Sequence, residues 1–116
     1  MTNDQFLKVV EGQYKRCTNM LAVKAEHYAW GTEDRLAQFK RAAALLKQTP
    51  HEVCLAYMSK HTTKLVDMIY KYARGEEVPI DEWNEVITDH INYLILAKAL
   101  VFEEECSFEE DTNGDQ

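Results

Sequence analysis

Apolar positions recur at three- and four-residue steps along nearly the whole chain, and no segment alternates apolar with polar residues long enough to argue a strand. From Asn3 to Tyr28 the helical stripe is Phe6, Val10, Tyr14, Cys17, Leu21, Lys24 and Tyr28. Thr2 or Asn3 can cap it, and Trp30-Gly31 ends it, because glycine readily adopts the turn that stops a helix. Thr32 caps a shorter second helix, with Glu33 and Asp34 in its first turn and Leu36, Phe39, Ala43 and Leu46 on its apolar face. Thr49-Pro50-His51-Glu52 combines an N-cap threonine, a proline at the first helical position and the glutamate of a capping box. It predicts a third helix to about Ala73, closed by Arg74-Gly75. After a short loop containing Pro79, a fourth helix starts near Asp81 and runs to about Glu104. Short connections favour antiparallel neighbours, so the pattern predicts an all-α fold, a four-helix up-and-down bundle.

A chain of 116 residues allows one small domain with a modest core, and a homo-oligomer is expected to bury the apolar surface left over, above all from Tyr93 to Phe102. No run of about 18 apolar residues exists to span a membrane, and Met1-Thr2-Asn3-Asp4-Gln5 lacks the basic and apolar regions of a signal peptide. Cys17, Cys54 and Cys106 fit no zinc or redox spacing and read as reduced thiols of a cytoplasmic protein. The charge divides the chain. Seven of the twenty acids follow Phe102 with no base among them, whereas the thirteen acids of residues 1–102 match thirteen Lys and Arg. The net charge of −7 thus belongs to residues 103–116, an acidic tail expected to be disordered behind a neutral helical domain. A neutral body gives no electrostatic footprint for direct nucleic-acid binding. The tail itself suits solvation, with DNA mimicry or docking on a partner as the alternative.

Candidate chemistry concentrates on the fourth helix. Glu82, Glu85, Asp89 and Asn92 fall within an arc of about 80° at the helical period. Oxygen ligands so arranged suit Mg²⁺ or Mn²⁺, while the plain alternative is the solvated stripe of an amphipathic helix. Asp89 and Asn92 stand out, because the helix turns apolar all round immediately after them and buried polar groups need partners. On the third helix Lys60, Lys64, Asp67 and Lys71 form a second ridge, either phosphate and metal ligands or a salt-bridged surface. His61 falls among Met58, Leu65 and Met68 on the apolar face, where it is a satisfied core residue or the partner of an acid such as Asp89. At the end of the first helix, Glu26, Tyr28 and Trp30 offer a carboxylate and stacking rings, or simply close the bundle. Arg35, Lys40 and Arg41 read as surface bases unless they face that end. Gly-rich phosphate loops, nucleophile elbows and His-Glu-x-x-His pairs are absent from the sequence.

Lys24-x-x-His27-Tyr28, Lys60-His61 and Asp89-x-x-Asn92-Tyr93 together resemble small phage-type proteins similar to the nucleotide-modification-associated domain family. More distantly, Glu85-Val86-Ile87-Thr88-Asp89 before an apolar helix is similar to the last motif of MazG-like all-α nucleotide pyrophosphohydrolases. The likeness spans residues 10–102 through short motifs. It implies a nucleotide-handling protein in which Asp89, with Glu85 or Asp67, holds Mg²⁺ and a metal-activated water attacks a triphosphate. Asp89 and His61 would then be catalytic, Lys60, Lys64 and Lys24 would meet phosphates, and Asn92 or Tyr28 would read sugar or base. The sequence departs from that pattern: the acids are spaced Glu-x-x-x-Asp, the first helix has no Glu-x-x-Glu pair, and His27 stands where the first family has Asp. The alternative is a non-catalytic protein that sequesters a nucleotide or docks on a host protein in an anti-defence role.

Overall fold

The computed structural model describes residues 1–28 and 34–106, and residues 25–28 by their backbone alone. Among the described residues four helices follow one another: α1 Asn3–Tyr28, α2 Ala37–Leu46, α3 Pro50–Ala73 and α4 Ile80–Glu105. Among the described residues there is no strand, and no helix is long and apolar enough to cross a membrane. The all-α four-helix bundle therefore stands as its hydrophobic pattern predicts. α3 packs most extensively on α4, then α2 on α3, and α1 joins through α4.

Each boundary has a local cause. Thr49 accepts a hydrogen bond from the backbone N–H of Glu52, and the Glu52 carboxylate accepts one from the N–H of Thr49, which completes the capping box before Pro50. At the far end Gly75 takes φ +85°, the left-handed conformation that closes α3 as expected of Arg74-Gly75. α2 begins later than its sequence suggests. Asp34 Oδ1 accepts the backbone N–H of Leu36 at 2.9 Å, an Asx-type turn that holds residues 34–36 out of the helix and moves its start to Ala37. Thr32, Glu33, Trp30 and Gly31 lie outside the described residues.

The core lies between α2, the first half of α3 and the second half of α4. Phe39 and Val53 are fully buried there with Leu36, Ala43, Cys54, Leu96 and Leu100, and Leu21 of α1 packs against the edge. Lys40 clamps this end by ion pairs to Asp34 at 2.6 Å and to Glu103 at 2.7 Å. Those bonds hold the Asp34 carboxyl below its usual range, with the Leu36 N–H assisting, and raise the Lys40 ammonium. Glu103 thus belongs to the body, as does Glu104, whose carboxylate lies 3.7 Å from His51 Nε2. The helix takes in the first three residues of the expected tail, because Lys40 and His51 supply the positive partners that sequence counting could not place. Residues 107–116 lie outside the described set.

Candidate functional site

The polar ridge of α4 splits on folding. Glu82 and Glu85 are exposed, Asp89 is half-buried and Asn92 is buried. Asp89 is approached from two other helices: His61 Nδ1 of α3 lies 3.8 Å from one carboxylate oxygen and Lys24 Nζ of α1 lies 3.6 Å from the other. These are ion-pair separations, too long for direct hydrogen bonds. His61 thus approaches Asp89, but without the hydrogen bond expected to orient both. Lys24 lies against Asp89, inside a network that ties α1, α3 and α4 together.

Neighbouring polar groups are also bonded between helices. Buried Thr88 accepts a hydrogen bond from Gln13 Nε2 at 2.9 Å, and the same nitrogen lies 3.3 Å from Cys17 Sγ. His90 Nε2 pairs with Thr62 Oγ1 at 3.0 Å. Asn92 differs from these: it is 5% exposed, and neither its Oδ1 nor its Nδ2 has a hydrogen-bond partner among the described residues. Burial raises the Cys54 thiol, which favours its neutral, unreactive form.

The expected metal set does not assemble. A divalent cation needs several oxygen ligands at about 2.0–2.6 Å. Among the described residues, no group of three or more His, Cys, Asp and Glu could hold one. Glu85 borders a separate groove with Arg16, Asn19 and Asp81, and Asp67 is exposed on α3. Asp89 is flanked by an amine and an imidazole. These residues do not fit a resident Mg²⁺.

A different constellation forms between α2, α3 and α4. An open cleft of about 650 Å³ is lined by Gln38, Arg41, Ala42 and Leu45 on one side and by Tyr57, Lys60, His61 and Tyr93 on the other. Its aromatic wall is anchored in the core. The ring of buried Phe39 lies 6.0 Å from that of Tyr57, Tyr57 meets Tyr93 edge-on at 6.4 Å, and Tyr93 lies against His61 at 5.1 Å with 31° between planes. Lys60 and His61 line this cleft, apart from the Asp89 and Asn92 with which the sequence grouped them. Lys64 is exposed on α3 without lining it, and Lys24, Asp89 and Asn92 do not line it either. The side chain of Tyr28 lies outside the described residues.

Sequence reasoning missed Gln38, Arg41, Tyr57 and the ring of Tyr93 as site residues. A signal was present. Gln38, Arg41, Ala42 and Leu45 follow the i, i+3, i+4, i+7 rule, and Tyr57, Lys60 and His61 follow its first three terms, so each set shares one helix face. The facing of the two sets is a property of the α2–α3 packing. Compared with family models, with curated proteins and with solved structures, the chain matches none.

Proposed function

We propose that the protein binds a nucleotide, or a small molecule derived from one, in the cleft between α2, α3 and α4 and holds it without hydrolysing it. One observation carries the reading: Arg41 and Lys60 border the same space as Tyr57, His61 and Tyr93. An arginine fork and a lysine point charge are complementary to phosphate oxygens, and flat rings are complementary to a base. Among the described residues no carboxylate lines the cleft to repel an anion. A volume of about 650 Å³ falls in the range of small-molecule sites. The resemblance to nucleotide-modification-associated proteins supports the same ligand class. Hydrolysis through a metal-activated water has weaker support, since Asp67, Glu85 and Asp89 do not converge.

The test is a melting-temperature titration with nucleoside mono-, di- and triphosphates at millimolar concentration, run beside an assay for phosphate and pyrophosphate release with and without Mg²⁺. A ligand present at a hundred times its Kd stabilises by about 2.7 kcal/mol, well within detection. The expected result is a rise for at least one nucleotide, without release, that Lys60→Met removes while leaving the unliganded melting temperature unchanged. If no nucleotide shifts the melt, the reading fails. Metal-dependent release abolished by Asp89→Asn would establish the enzyme instead.

A further inference from the structure

The first three turns of α1 have almost nothing packed on them. Residues 1–9, 11 and 12 are exposed and Val10 is half-buried. The helix makes its first polar link to α4 at Gln13, through Thr88, and its first buried side chain is Cys17. Yet this arm is not polar all round. At 100° per residue Phe6, Val10, Gln13 and Cys17 fall within an arc of about 60°. The meridian that meets α4 at Gln13 and Cys17 therefore continues uncovered over Phe6. Phe6, Leu7, Val9 and Tyr14 retain 53, 47, 55 and 71% of their exposure. Asp4, Lys8, Glu11 and Lys15 lie on the opposite side as two acid-then-base pairs four residues apart, the pattern of a solvated face.

A helical arm of about ten residues is marginal alone in water, so its apolar side needs a cover. We propose that this side pairs with the same side of a second copy, the two arms lying antiparallel across a two-fold axis near Val9 and Val10. The cover must be apolar, must bring no charge into the seam and must run about 15 Å along the helix. Another arm meets all three conditions. Asp4, Lys8, Glu11 and Lys15 point away from the seam, so pairing desolvates none of these four, and Arg16 lies at its rim. A two-fold also consumes the apolar side on both copies and leaves no open end to propagate. Phe6, Leu7, Val9 and Tyr14 expose roughly 400 Å² per copy, about half of the ~800 Å² that each partner contributes to a standard interface. The dimer is accordingly weak and reversible.

Sedimentation velocity on the full chain between about 5 µM and 500 µM tests this, the range in which weak self-association shows as a concentration-dependent mass. The expected mass rises from 13.5 kDa towards twice that value as concentration increases. The double variant Phe6→Glu/Val9→Glu should remain monomeric throughout, with the melting temperature of the body unchanged because more than half of each of these residues is exposed. A wild-type chain that stays at 13.5 kDa overturns the proposal. So does a double variant that still dimerises, since the seam would then lie elsewhere.

Discussion

Asn92→Leu should make this protein more stable. Asn92 sits on α4 between Asp89 and Leu96, 5% exposed, with both amide atoms unpaired among the described residues. A buried amide without partners costs about 1–3 kcal/mol relative to one that is satisfied. Leucine is close to asparagine in length and carries no polar atom, so the substitution removes that cost and adds apolar burial. The expected gain is about 1–3 kcal/mol, or roughly 4 °C in Tm per kcal/mol for a chain of this size. Urea denaturation followed by far-UV circular dichroism reads it as a higher midpoint at unchanged slope. Nucleotide affinity should stay within about twofold of wild type, because Asn92 does not line the cleft. A lower midpoint at the same slope would refute the reasoning, since the amide would then be making bonds worth more than its desolvation. A gain in stability coupled to lost affinity would return Asn92 to the binding site, a familiar exchange between stability and function.

Four shorter tests follow. Asp89→Ala leaves Lys24 and His61 unopposed and should cost about 1–2 kcal/mol, reduced from a fully buried pair by the partial exposure of both partners; a double-mutant cycle with Lys24→Met should show coupling, and additive effects would mean that the network is inert. Thr49→Ala removes the capping-box acceptor of α3 and should cost about 1 kcal/mol in the same urea assay, against no change if the cap is dispensable. Lys40→Met should cost at most about 1 kcal/mol once solvent screening is allowed for, with a defined pH dependence. The depressed Asp34 carboxyl contributes above its ordinary value near 3.9 and loses that contribution as pH falls through its lower folded value, whereas the raised Lys40 contributes below about 10.4 and loses it as pH rises through its higher folded value. The wild-type advantage in Tm should therefore be flat from about pH 5 to 9 and shrink at both extremes; a maximum within that window contradicts the clamp. Gly12→Ala should increase helical ellipticity and the amide protection of residues 3–12, since nothing lies within 4 Å of an added Cβ and alanine gains about 0.5–1 kcal/mol over glycine in a helix.

What the sequence revealed follows the range of the interactions involved. The start of α3 was legible to the residue because Thr49, Pro50 and Glu52 settle it among themselves. The start of α2 was misplaced because Thr32 resembles a cap while Asp34, two residues later, binds the Leu36 N–H and Lys40. Both readings use local chemistry, and Lys40, which also reaches Glu103 on a distant helix, reinforces the second. The partnership of His61 with Asp89 was accessible because a half-buried acid in an apolar helix has few candidates to answer it. Its second partner, Lys24, and the cleft between Arg41 and Tyr57 were not accessible. They depend on how helices remote in sequence rotate against one another, which the apolar stripes constrain only to within a broad arc.

The way α1 attaches also sets an order of assembly. α2 packs on α3 and α3 on α4, each on its neighbour in sequence, with short connections to close. α1 is secured mainly through α4, and its bond from Gln13 to Thr88 spans 75 residues. Loop-closure entropy penalises that junction most, so the three later helices can form a folding unit before α1 docks. Stabilising the α1 seam, for example by strengthening the Gln13–Thr88 contact, should then slow unfolding more than it speeds folding. On this topology the helix that opens the sequence should be the last to join the bundle and the first to leave it.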